Sequence, residues 1–259
     1  LRHGLPYAGL TYKHDLITEN ISLSPQHRIA EIGVGTGYSC LKLASEVAGV
    51  VGFDRAADLI ETLEAYGSTR GNVVFVKADV TRDDPPPEFV GSIDTVYSVD
   101  TLNYIRPPSS LFSFTAKLLK PSGAAFIAFP NELDDEMEGV TNFKSTDELR
   151  RAVSEGGLAC EEIKAAEYTA WFDFINRNLW YRMKKLLYRS HYDGKTNPQV
   201  FDETVAFKML KRKHTPLPIR AYTAFIMTLL RFGGIYEYMD TDDIYGRYVL
   251  LKLRKIPEG

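Results

Sequence analysis

The chain has 259 residues, 44% of them hydrophobic and 25% charged, which is enough apolar material for one sizeable core, or one core with a cap. A formal charge of -3 argues against a general nucleic-acid binder. Two cysteines, Cys40 and Cys160, supply neither a disulfide framework nor a zinc site, so no metal is expected and a reducing cytoplasmic setting suits them. The longest apolar run, residues 221–230, is interrupted by threonines and too short for a bilayer, and no secretory signal pattern is present.

Leu16, Ile17 and Ile21 follow a helical spacing, so residues 1–21 read as an N-terminal helical segment, which also carries Tyr12 and His14. A strand is expected over roughly Arg28 to Ile32, running into Glu31-Ile32-Gly33-Val34-Gly35-Thr36-Gly37. Gly33 permits a sharp turn out of the strand, Gly35 lets the main chain approach a ligand without a Cβ in the way, and Gly37 opens the next helix. In that helix Cys40, Leu41, Leu43, Ala44 and Val47 form an apolar face.

A second strand ends at Asp54, a third runs from Val73 to Val80 and contains Asp79, and a fourth runs from Ile93 to Asp100. Leu118-Leu119-Lys120-Pro121-Ser122-Gly123 turns into a fifth, Ala124 to Phe129. Strand and helix alternate to about residue 157, which predicts a mostly parallel sheet with helices on both faces. Asp83-Asp84-Pro85-Pro86-Pro87 suits only a surface connection. Ser145-Thr146-Asp147-Glu148 has the capping-box spacing and starts a helix that ends at Gly156-Gly157. Leu158 to Ala170 reads as strand six, and Tyr248 to Leu253 as an antiparallel edge strand paired with it.

Three alternating glycines preceded by Glu31, then acids closing strands two and three, then the turn into strand five, resemble class I S-adenosylmethionine-dependent methyltransferases in motif order. That family's fold is α/β: a Rossmann-like, doubly wound, seven-stranded sheet whose last strand is antiparallel. The resemblance implies a core of residues 22–170 and 244–259, with residues 171–243 forming a mainly helical insertion between strands six and seven. It implies S-adenosyl-L-methionine as cofactor and S-adenosyl-L-homocysteine as product. It places Asp54 on the ribose, Asp79 and Val80 beside adenine, and Glu31, Gly33, Gly35, Gly37 and Ser98 around the rest of the cofactor. Tyr12 joins them from an N-terminal segment that closes over the site. An acid at a strand end is otherwise a turn or cap residue, and Asp94 reads as a structural anchor of its strand.

The insertion differs in composition from the core. Residues 171–235 hold 12 Lys and Arg against 4 Asp and Glu, a net of +8, together with both tryptophans, Trp171 and Trp180. Such a segment packs on an acidic body or faces solvent, or its Lys184, Lys185, Lys211, Arg212 and Lys213 attract an anionic substrate, RNA or a membrane surface. A cap of this composition can equally seal a homodimer interface.

Methyl transfer from a sulfonium needs an acceptor held in line and water excluded. Ser98 to Ile105, after strand four, lies where the resemblance puts the methyl group, and Asp100 and Tyr104 share a face if a helical turn begins there. Asp100, Tyr104 and His14 are therefore the catalytic candidates, Asp100 as a base or an anchor for an amine. The expected partner is a small, apolar or aromatic acceptor methylated on oxygen or nitrogen. A lipid, quinone or cyclopropane-type enzyme docking on anionic membrane is the alternative, and a catalytically inactive cofactor-binding scaffold is another. A dinucleotide oxidoreductase is disfavoured by Tyr38, which stands where Gly-x-Gly-x-x-Gly needs its third glycine.

Overall fold

A computed structural model describes residues 6–67, 71–131, 141–175 and 247–256, with shorter pieces at 178–179, 225, 228–229, 232–234, 236–239 and 242–245. The chain divides into two compact units, Lys13–Ala166 with Met239–Gly259, and Leu1–Tyr12 with Glu167–Tyr238. Most of the expected insertion, including Trp180, His191, His214 and the lysine clusters, lies outside the described residues.

The larger unit is built on parallel strands. β1 (Arg28–Ile32), β2 (Gly49–Asp54), β3 (Val73–Lys77), β4 (Ile93–Val99) and β5 (Leu119–Asn131) pair in the order β3-β2-β1-β4-β5. β1 and β2 are short apolar runs buried almost end to end, as expected for strands covered on both faces. α2 (Tyr38–Leu43), α3 (Ala57–Gly67) and α4 (Ser109–Leu118) connect them, and Cys40, Leu41, Leu43, Ile60, Leu63, Leu111 and Phe112 are buried. Asp94 is the anchor expected of it: one carboxylate oxygen accepts the Arg28 backbone N–H at 2.8 Å, and the other pairs with Lys120 Nζ at 2.6 Å.

Beyond β5 the chain differs from expectation. The closing strand, β8 (Arg247–Lys255), pairs with β6 (Leu158–Tyr168) as predicted, but it is no edge. It lies between β5 and β6 and is antiparallel to both. Val249, Leu250 and Leu251 are all buried, so consecutive residues point to both covered faces. The sheet has eight strands rather than seven, because Tyr236–Met239 adds a short β7 beside β6. Asn131, fully buried at the end of β5, donates to the carbonyls of Phe143 and Ile244 and accepts the Phe143 N–H, so every polar group of its amide terminus holds a loop in place.

α5 (Thr146–Glu155) begins at the predicted cap, where Ser145 accepts the Glu148 N–H, although Glu148 reaches back to the Lys144 N–H rather than to that of Ser145. α1 (Pro6–Asn20) is the N-terminal helix, and its Leu16 and Ile17 are buried in the larger unit. In the smaller unit, Tyr168 stacks on Phe172 and on Tyr236, and the Trp171 indole donates to the Leu229 carbonyl at 2.7 Å.

Candidate active site

Parallel strands expose their carboxyl ends at one edge of the sheet, and the candidate residues collect there. β1 ends in the glycine loop. Gly33 has φ +78°, and a Cβ on it would lie 2.1 Å from Thr101 Oγ1, so only glycine fits beside the segment that follows β4. Gly35 has φ +49° and, among the described residues, nothing within 4 Å of where its Cβ would be, which leaves open space against bare main chain. Gly37 sits at the N-cap of α2. The loop is tied to β2 by hydrogen bonds from the Gly33 and Val34 N–H groups to the Phe53 carbonyl.

Three acids line this end. Asp54 accepts the Gly35 N–H at 3.1 Å on one oxygen and the Ala56 N–H at 3.0 Å on the other, so it shapes the loop as well as standing at its mouth. Asp79 accepts the Thr81 hydroxyl at 2.7 Å and the Thr81 N–H at 3.0 Å on Oδ1, and these bonds lower its pKa and keep it an ionised acceptor. Val80 follows it, half-buried.

Glu31 is buried. Its Oε2 accepts the Cys40 thiol at 3.0 Å and the Tyr97 hydroxyl at 3.1 Å. Burial pushes its pKa up to about 7, opposed by those two hydrogen bonds and by the positive charge of Lys13. Cys40 and Tyr97 are pushed up by the same burial and remain neutral donors. Neither was singled out in the sequence as a site residue, since each reads there as an ordinary apolar position of α2 or β4.

The end of β4 forms the second half. Asp100 has φ +56°, the one non-glycine residue with positive φ among those described. Its Oδ2 pairs with Lys13 Nζ at 2.6 Å and its Oδ1 accepts the Tyr248 hydroxyl at 2.7 Å. With both oxygens engaged, Asp100 is a held carboxylate rather than a base open on both sides. A 3-10 turn, Leu102–Tyr104, follows. The α-helical geometry that would put Asp100 and Tyr104 on one face is therefore absent, and Tyr104 is 41% exposed. Asp100 does not cap that turn either, since Thr101 holds the N-cap position with no side-chain bond.

Ser98 is fully buried, and its hydroxyl donates to the Ile32 carbonyl at 2.8 Å, stapling β4 to β1. His14 is 3% exposed, lies edge-on to Tyr38 at 6.1 Å, and has a buried Nδ1 with no hydrogen-bond partner among the described residues. Burial first, then the charge of Lys42, lowers its pKa to about 4, so it is neutral at pH 7. Tyr12 lies in α1, with its side chain outside those described.

A parallel sheet with a Gly-x-Gly-x-Gly loop and acids at the end of β2 and just after β3 is the arrangement that the resemblance to class I S-adenosylmethionine-dependent methyltransferases implies. Residues 29–123 match the family of methyltransferase domains. Among similar proteins is the ubiquinone biosynthesis O-methyltransferase of Erwinia tasmaniensis, 28% identical over 105 residues, 40% of this chain and 42% of that one. Phosphoethanolamine N-methyltransferase 1 of Arabidopsis thaliana is 31% identical over 112 residues, 42% of this chain and 22% of that one. The chain thus spans under half the length of these two relatives. The solved structure of Haemonchus contortus phosphoethanolamine N-methyltransferase 2, in complex with phosphomonomethylethanolamine and S-adenosylhomocysteine, superposes with a TM-score of 0.59. It covers 96% of this chain and 53% of that one at 14% identity, a likeness of fold.

Proposed function

We propose that the chain transfers a methyl group from S-adenosylmethionine to the oxygen or nitrogen of a small acceptor. The observation that carries this reading is the bare, open main chain at Gly35 flanked by Asp54 and Glu31. Bound there, the cofactor supplies an electrophilic methyl on a sulfonium. Asp54 offers a carboxylate to ribose hydroxyls, Asp79 an ionised acceptor to the adenine amino group, and Glu31 its second oxygen to the ammonium of the methionine part. Asp100, strained and doubly held at the end of β4, faces the acceptor. His14, neutral and buried beside Tyr38, helps close the site against water.

Calorimetry with S-adenosylmethionine, S-adenosylhomocysteine, NAD and NADP tests the cofactor assignment. Binding of the first two alone is the expected result, and binding of a dinucleotide instead would remove it. Labelled-methyl transfer to a panel of small phenols, alcohols and amines then tests the reaction, and cofactor binding without transfer to any of them would favour a scaffold.

A quinone or lipid acceptor is the second reading. It is supported by the ubiquinone relative, by the +8 charge of residues 171–235, and by exposed Phe174 and Phe232 in the smaller unit. No helix among the described residues is long and apolar enough to cross a membrane. On this reading a cytoplasmic protein meets the acceptor at the bilayer surface. Sedimentation with anionic and neutral vesicles separates the readings, and absence of binding to either removes the membrane one. Gel filtration with light scattering tests the homodimer.

A further inference from the structure

We infer that the Asp100 carboxylate is a binding site for an ammonium group on the acceptor, and that Lys13 occupies it as an internal stand-in. The inference rests on the methyltransferase reading and narrows its acceptor to a cationic amine-bearing molecule.

Asp100 sits at the carboxyl end of β4, where an open α/β sheet holds its ligands. Its backbone is held at φ +56°, a conformation that a non-glycine residue keeps only where the surroundings impose it. The Asp100 N–H donates to the Ala128 carbonyl at 2.8 Å, fixing the residue to the end of β5. Tyr248, 6% exposed on β8, donates its hydroxyl to Oδ1 at 2.7 Å. One oxygen is thereby oriented by a buried group from a strand that is not its neighbour in the sheet, and Oδ2 is left to receive a cation.

The cation there now is the Lys13 ammonium, at 2.6 Å. Its side chain is 34% exposed and that of Asp100 is 30% exposed, so water screens the pair and its net worth is small. A primary ammonium presents the same three donors and the same charge, and can take the place of Lys13 without leaving the carboxylate bare. The lysine can withdraw along its flexible four-carbon stem. Its charge also acts on Glu31, opposing the effect of burial there. This is recognition of the acceptor, whichever of its atoms is methylated.

Displacement and positioning make opposite predictions for Lys13. Propylammonium chloride is titrated into the protein bound to S-adenosylhomocysteine at constant ionic strength, with 1-propanol as the uncharged counterpart, reading the amide resonances of Asp100 and Thr101. With the competitor removed, Lys13→Met binds propylammonium about fivefold more tightly than the parent, the gain set by the small worth of an exposed pair. Asp100→Asn loses the response, and 1-propanol produces none in any variant. Lys13→Gln serves if the methionine disturbs α1, and thermal unfolding of each variant checks the fold. Binding that is unchanged or weaker in both Lys13 variants makes Lys13 a support of Asp100 and overturns the inference. Binding of 1-propanol equal to that of propylammonium overturns it as well. S-adenosylhomocysteine affinity separates the two levels: if it is retained while the lysine variants fail to tighten, only this inference falls. If it is absent in the parent, the methyltransferase reading falls and takes this one with it.

Discussion

The two ends of the candidate site are built in different ways. The cofactor end, from Glu31 to Asp54, is assembled by neighbours: the Gly35 N–H meets Asp54 across 19 positions, and three glycines lie within five residues. The acceptor end brings together α1, β4 and β8, with Tyr248 and Asp100 148 positions apart. A site made from main chain and local acids is written as a motif, whereas a site made by sheet order is written nowhere in particular.

The sharpest test of the contrast is within the glycine loop itself. Gly33→Val combines a positive φ with a clash against Thr101 and is expected to destabilise the fold by about 3 kcal/mol or more. Gly35→Ala meets open space, so it should lose only about 1 kcal/mol of stability. Its cofactor affinity should nonetheless fall roughly tenfold, about 1.4 kcal/mol. Urea unfolding and calorimetry on both variants check this, and equal losses of stability would erase the distinction between a turn glycine and a ligand glycine.

Next in size is Asp54→Asn. Removing the charged acceptor should weaken S-adenosylmethionine binding by about 1.5–3 kcal/mol while leaving binding of a cationic probe at Asp100 in place. Tyr248→Phe should do the reverse. It keeps the buried ring, leaves cofactor affinity unchanged, and lowers kcat/KM by about 1–2 kcal/mol through the lost bond to Asp100. A fall in cofactor affinity in Tyr248→Phe would show the two ends to be one coupled unit.

The smallest expected effect is in pH. His14 has its folded pKa lowered from 6.5 to about 4, so the stability it contributes is present above 6.5 and lost as pH falls through about 4. Glu31 is raised from 4.5 to about 7, so its contribution is present below 4.5 and lost as pH rises through about 7. Between 4.5 and 6.5 the two slopes oppose and the parent profile should be flat. Glu31→Gln should leave a profile that rises with pH in this window, and His14→Gln one that falls. Urea midpoints from pH 4 to 8 read both, and unchanged slopes would show that neither group titrates as its burial implies.

Much of the fold was legible. β1 occupies Arg28–Ile32 as read, Asp94 anchors, and Ser145 caps, because each depends on residues nearby or on a charge at a strand end. The neighbours of a strand are harder to read. Alternation and apolar runs identify Tyr248 to Leu253 as a strand but do not say which strands flank it. The unbroken run Val249-Leu250-Leu251 was a usable sign of burial on both faces and argues against an edge. The shared helical face of Asp100 and Tyr104 is missing for a local reason: Asp100 adopts positive φ and Thr101 begins a 3-10 turn, neither of which the residue types announce. Lys13 and Tyr248 carried no signal at all, since an isolated lysine on a helix and a tyrosine opening a strand are ordinary surface and core residues.

The placement of β8 between β5 and β6 also dictates an order of assembly. As the chain leaves the ribosome, β2 to β5 can each find a partner already made, with crossovers of ordinary length. β6 cannot join them, because the slot beside β5 belongs to Arg247–Lys255, which is synthesised about eighty residues later. Until then the nascent protein presents an unpaired edge on β5 and leaves both edges of β6 without a partner, each an invitation to mispairing with another chain.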